Sequence, residues 1–191
     1  MGPSQQISRY KSACRICGAT ETRYPHKYNA DRTSTEQVKH MAQSLCKIYL
    51  HIIFHIKTTS PCILDDDLKR VHAYIGEIIN DSKCTTIWVG GVGDHVHVLC
   101  LLGREVSIAQ LVETMKRNSS RWIKSLSPKY SWFAWQGGYA ALSVSQSVVD
   151  KTVAYIKSQK EHHKKTSFQD EYRQFLKLYN IEYDEKYVFT D

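Results

Sequence analysis

From Cys46 to Lys57, CKIYLHIIFHIK, apolar and polar side chains alternate, so that Ile48, Leu50, Ile52, Phe54 and Ile56 line one face of a strand and His51, His55 and Lys57 the other. The period then changes. In DDDLKRVHAYIGEIINDSK the residues Leu68, Val71, Ile75, Ile78 and Ile79 recur at helical spacing, and Asp65, Asp66 and Asp67 stand where a helix N-terminus favours negative charge. TTIWVGG and DHVHVLCLL follow across a glycine-containing turn and predict paired strands. Ser107 is placed to cap a second helix whose apolar stripe is Ile108, Leu111, Val112, Met115, Trp122 and Ile123, ending near Ser127-Pro128. After an aromatic loop, YSWFAWQGG, the run YAALSVS predicts a fourth strand, and VVDKTVAYIKSQKEHHKK a third helix beginning near Asp150. The remainder, SFQDEYRQFLKLYNIEYDEKYVF, predicts a short helix and an extended end.

Strand, helix, two strands, helix, strand, helix is the order of an α+β protein with one open antiparallel sheet. The simplest arrangement is ferredoxin-like, as in RNA-recognition domains, with helices on one face and a further C-terminal helix. Residues 1–40 are different in texture: they carry few large aliphatics and no hydrophobic period, and read as a flexible or appended extension to a single domain over 41–191. No stretch of the 191 residues reaches the roughly 20 apolar positions of a membrane span, because the greasiest run, Ile48 to Ile56, is interrupted by His51 and His55. With no secretory signal in the N-terminal sequence, the six cysteines read as reduced thiols in a soluble, cytoplasmic protein.

The net charge of +7 implies an anionic partner. Residues 1–40 hold seven Lys/Arg against three Asp/Glu, which leaves the rest of the chain only mildly basic. Within that rest, Arg117, Arg121 and Lys124 follow one another at helical spacing with Lys116 and Asn118 alongside, a stripe fit for backbone phosphate or simply a solvated helix face. Trp132, Phe133 and Trp135 offer surfaces for stacking unpaired bases, or cover for a core edge.

His95 and His97 carry the most specific chemistry. Two apart on a strand, they share a face, so their ring nitrogens converge while Val96 and Val98 enter the opposite face. An isolated His-x-His pair reads first as two satisfied polar residues on a solvated face, but its position in an otherwise aliphatic strand, where neutral, convergent imidazoles suit a metal ion, shifts the reading. Two ligands leave a site incomplete, and the last predicted helix offers more: Tyr155 and Gln159 lie four apart on one face, which His162 or His163 continues.

At these residues the chain resembles the single-tyrosine HUH transposases of bacterial insertion sequences, the group that moves elements as single strands. GDHVHVL matches their His-hydrophobic-His motif and YIKSQ their tyrosine motif. The similarity runs from about Leu45 to the C-terminus through LHIIFHIK, KRNSSRWIKSL, WQGGYAALSVSQS and IEYDEKYVF. The resemblance implies a divalent cation, Mg²⁺ or Mn²⁺, on His95, His97 and Gln159, with His163 as reserve ligand, and Tyr155 as nucleophile. It implies a single-stranded DNA substrate with hairpin ends, a 5′-phosphotyrosine intermediate with a free 3′-OH, and a homodimer sharing its active sites between subunits. A non-catalytic single-stranded nucleic-acid binder and a domesticated relative that nicks repeats are the competing readings. Cys14 and Cys17, a lone CxxC with His26, His40 and Cys46 at no standard zinc spacing, fall outside this pattern.

Overall fold

The computed structural model describes residues 45–189, and the expected extension over 1–40, with Cys14 and Cys17, lies outside them. The sheet has four antiparallel strands, β1 (Tyr49–His55), β2 (Thr85–Val92), β3 (His95–Leu101) and β4 (Ala140–Val144), in the order β2-β3-β1-β4. Helix α1 (Asp65–Asp81) connects β1 to β2, and α2 (Ile108–Leu126) connects β3 to β4. This is the α+β, ferredoxin-like order expected from the sequence.

The alternation in β1 sorts its residues as the pattern requires from Leu50 to Ile56, whereas Ile48, ahead of the strand, is 44% exposed. Leu50, Ile52, Phe54 and Ile56 join Val96, Val98 and Cys100 of β3 under α1 and α2, whose Val71, Ile75, Ile79, Leu111, Met115 and Ile123 are fully enclosed. Ser107 caps α2 through its hydroxyl, which accepts from the Gln110 amide at 3.2 Å. The aromatic loop is divided by burial. Phe133 and Trp135 belong to the core, with ring centroids 4.9 Å apart and the Trp135 indole N–H donating to Ser119 at 2.9 Å. Trp132, 64% exposed, is the member left on the surface.

Strands β2 and β3 meet so closely that their hairpin depends on glycine. Gly91 pairs with Val96 at φ +136°, and a Cβ there would stand 2.3 Å from the His95 carbonyl oxygen. At Gly93 in the turn a Cβ would stand 2.5 Å from the Ile63 carbonyl oxygen.

The second face of the sheet is covered by the C-terminal helices: α3 (Val149–Lys157), α4 (Gln159–His162) and α5 (Phe168–Leu178). They form two small clusters, one of Ile53, Ala140, Leu142, Tyr172 and Leu176 and one of Leu99, Val144, Val149 and Ile156. The single helix predicted from Asp150 through the lysines breaks at Ser158. Its hydroxyl donates to the Tyr155 carbonyl at 2.9 Å, and its amide is shared at 3.1 Å between the carbonyls of Ala154 and Tyr155. The acceptor that a continuous helix would offer to Gln159 is therefore occupied, and the helix restarts one residue on. The predicted extended end contains one helical turn, α6 (Glu185–Val188), capped by the Asp184 carboxylate on the Lys186 amide at 2.8 Å.

Candidate metal centre

His95 and His97 project from β3 onto the second face, beneath α3 to α5, and neither is exposed to solvent. Each ring is held by its Nδ1. His95 Nδ1 lies 2.6 Å from the Asp94 carboxylate, and His97 Nδ1 lies 3.0 Å from Nε2 of His51, the neighbouring inward residue of β1. His163, just after α4, uses Nδ1 in the same way against the Thr166 carbonyl at 2.9 Å. Every Nε2 is thereby left to point inward.

What they converge on is Glu171 of α5, a carboxyl 2% exposed. Its Oε2 lies 3.1 Å from His163 Nε2 and 3.6 Å from His97 Nε2, and its Oε1 accepts from the Gln159 amide at 2.9 Å. That bond turns the Gln159 carbonyl oxygen toward His95 Nε2, at 3.4 Å. One donor atom each from His95, His97, His163 and Glu171 falls within 4.8 Å of all the others.

Burial sets the charge state of this cluster. It pushes His97 well below the ordinary imidazole range, with the charges of His95 and His51 acting in the same direction, and it lowers His163 as well, with His95 again contributing. It pushes Glu171 up to about 8, with the negative charge of Asp94 as the smaller cause. At neutral pH the carboxyl holds its proton and can give it to the nearby His163 nitrogen. His97 Nε2 gains nothing from this: it is buried and makes no hydrogen bond. An unpaired buried lone pair costs about 1–3 kcal/mol, and a cation among four convergent donors removes that cost. Imidazole nitrogens with one carboxylate are a set able to hold a divalent metal ion.

Tyr155 stands beside this set on α3, half-buried, its ring centroid 5.9 Å from that of His97 and 5.8 Å from that of His162. Phe175 packs against it from α5 at 5.7 Å. The structure thus gathers His95, His97, Tyr155, Gln159 and His163 from three separate elements. Glu171 was not foreseen. Its signal was present: it falls three residues after Phe168 and four before Phe175, an acidic residue within the apolar stripe of α5.

The basic stripe of α2 lies on the other side of the sheet from the histidines, and it loses one member. Lys116 turns its ammonium onto the carbonyls of Gln136 (2.8 Å), Gly137 (3.3 Å) and Gly138. Burial pushes its pKa down to about 8, and with three carbonyls around its ammonium the side chain clamps the loop before β4. Arg117 is exposed and pairs with Glu113 at 2.6 Å, while Arg121 and Lys124 are exposed.

Fold and site together define an α+β protein with a candidate metal centre on one sheet face and a tyrosine at its rim. The family model for IS200-like transposases matches residues 44–159, and the chain belongs to that family. His95, His97, Tyr155 and Gln159 fall inside the matched segment, and His163 and Glu171 beyond it. No curated protein matches the chain. Among solved structures it is similar to a candidate transposase from Deinococcus radiodurans R1, at 20% identity over 64% of this chain and 98% of that one with a TM-score of 0.49. It is also similar to a REP-associated tyrosine transposase bound to a REP hairpin, at 12% identity over 66% of this chain and 74% of that one with a TM-score of 0.48. Among the described residues no helix is long and apolar enough to cross a membrane.

Proposed function

We propose that this protein is a metal-dependent transposase that cuts and rejoins single-stranded DNA through Tyr155. The observation that carries the reading is the position of the Tyr155 ring, 5.9 Å from that of His97 at the edge of the convergent donor set. A tyrosine hydroxyl with its ordinary pKa of about 10 is a weak nucleophile toward a phosphodiester, and a site that draws charge from the phosphate compensates for this. His95, His97 and His163 with Glu171 would hold the ion, and Gln159 contributes an amide oxygen to the same space. The chemistry supplied there by a bound Mg²⁺ or Mn²⁺ is neutralisation of the scissile phosphate.

Tyr155 gives up its proton, and its oxygen forms a bond to phosphorus as the bond from phosphorus to the 3′ oxygen breaks. The 3′ oxygen takes up a proton and leaves as a free hydroxyl, with the 5′ end retained as a phosphotyrosine. Attack by a 3′-OH on that phosphotyrosine reverses the step and joins strands with no external energy source. Tyr155 stands beside the histidines of its own chain, so in this reading one chain holds a complete cleavage site, and pairing of two chains would serve exchange between strands. Arg117, Arg121 and Lys124 hold backbone phosphates of the hairpin ends on the opposite side of the sheet.

Tyr155→Phe tests the reading. The hydroxyl is at a half-buried rim, so the variant keeps its fold and its DNA affinity, while the covalent adduct with end-labelled single-stranded DNA vanishes from a denaturing gel. Adduct at the unchanged protein's yield overturns the assignment.

A further inference from the structure

The three histidines of the centre are not oriented by equivalent partners. His95 Nδ1 faces a carboxylate and His163 Nδ1 a backbone carbonyl, groups that can only accept, so both rings carry their proton on Nδ1 and present a bare Nε2 to the cluster. His97 Nδ1 faces another imidazole, Nε2 of His51 at 3.0 Å, which can accept or donate. Were His51 to donate, the His97 proton would sit on Nε2, aimed at the cluster, where the nearest carboxyl oxygen, Glu171 Oε2 at 3.6 Å, lies beyond hydrogen-bond reach. That nitrogen would also be closed to any metal ion.

We infer that His51 is a positioning residue of the metal centre, accepting the Nδ1 proton of His97 at its own Nε2 and so fixing His97 in the one tautomer that can ligate. The inference rests on the metal-dependent reading proposed above and adds to it a residue outside the set expected from the sequence. The setting of His51 suits the task. It is 3% exposed, its ring stacks on that of His97 with centroids 5.1 Å apart, and Phe175 closes over it edge-on at 5.4 Å. The strand register explains the pairing: His51 lies opposite Leu99 and Ile53 opposite His97, so His51 and His97 are diagonal neighbours on the same sheet face. Water is kept from the bond, so no solvent molecule can replace His51 as acceptor. Outer partners of this kind, which orient a ligating imidazole and raise its basicity, commonly change metal affinity by about 10- to 100-fold.

The test uses the full chain and Mn²⁺ as probe. In the metal-free protein, long-range ¹H–¹⁵N correlation of the histidine rings is expected to show His97 protonated at Nδ1, and His51→Leu to mix the two tautomers. By calorimetric titration His51→Leu weakens Mn²⁺ binding by at least about tenfold. His51→Gln, which returns an acceptor at similar reach, restores most of it, an outcome that a purely space-filling role does not produce. An Nε2-protonated His97 in the unchanged protein overturns the inference, as does Mn²⁺ affinity equal in His51→Leu and the unchanged protein. If the unchanged protein binds no divalent ion, the metal-dependent reading falls and the inference with it; if it binds and the two His51 variants match it, only the inference falls.

Discussion

Metal binding at this centre is expected to expel a proton from Glu171. Burial holds that carboxyl at about 8, against an ordinary 4.5, while His97 and His163 are held low and are already neutral at pH 7. A carboxylate must be ionised to ligate. At pH 6 only about 1% of Glu171 is ionised and at pH 8 about half, so affinity for Mn²⁺ should climb roughly fiftyfold between them, equivalent to about 2 kcal/mol, and level off above. The same proton governs the metal-free fold. A carboxyl raised in the folded state contributes stability that is fully present below its ordinary 4.5 and is lost as pH rises to about 8, so the metal-free protein weakens across that window and this group changes nothing further above it. Buried His51, pushed down to about 4, works in reverse: its contribution is present above 6.5 and is lost as pH falls through 4. Calorimetric titration with Mn²⁺ at pH 7, in two buffers of different ionisation heat, should count close to one proton released per ion. Glu171→Gln should release none and lose the pH dependence. Affinity that is flat between pH 6.5 and 8, or a proton count unchanged by Glu171→Gln, refutes the reasoning.

Three further outcomes follow from the geometry. Gly91→Ala places a Cβ against the His95 carbonyl and is expected to lower unfolding free energy by more than about 2 kcal/mol in urea titration and to weaken Mn²⁺ binding with it, since that backbone carries the first histidine. Lys116→Met leaves the carbonyls of Gln136, Gly137 and Gly138 without their donor and should cost about 1–3 kcal/mol in the same assay, with little change in the salt dependence of DNA binding. Arg121→Ala with Lys124→Ala should leave stability unchanged while weakening single-stranded DNA binding and reducing the slope of log K against log salt by about one or more, as measured by fluorescence anisotropy; an unchanged slope removes that face from the DNA path.

The scaffold was legible because its signals are local and repeated. Leu50, Ile52 and Phe54 alternate, Leu68, Val71 and Ile75 recur at the helical period, and Ser107 stands at a capping position, so each element is specified several times over. His95 and His97 were legible for the same reason, since two residues on one strand share a face whatever surrounds them. The helix break at Ser158 was not, because a serine hydroxyl that takes its helix's own carbonyl reads in sequence like any exposed serine. Lys116 misled in the same way: helical spacing places it beside Arg117, but which residue finds the backbone of the Gln136–Gly138 turn is decided by contacts twenty residues away in sequence. Glu171 is the intermediate case, marked by its place in an apolar stripe but given meaning only when α5 closes over the sheet.

That closure explains why the centre needs the whole C-terminal cover. One sheet face is given to an apolar core; the other carries His51, His95 and His97 between two small apolar clusters. Those clusters anchor α3 and α5 on either side of the histidines, and the short α4 bridges them, so Tyr155, Gln159, His163 and Glu171 arrive together or not at all. The segment that matches the family ends at Gln159, yet His163 and Glu171, which supply a ligand nitrogen and the carboxyl, come after it. A chain ending at the tyrosine motif would therefore keep the HxH pair and the nucleophile but expose His97 Nε2 to water, trading a dry, convergent centre for two imidazoles on an open sheet.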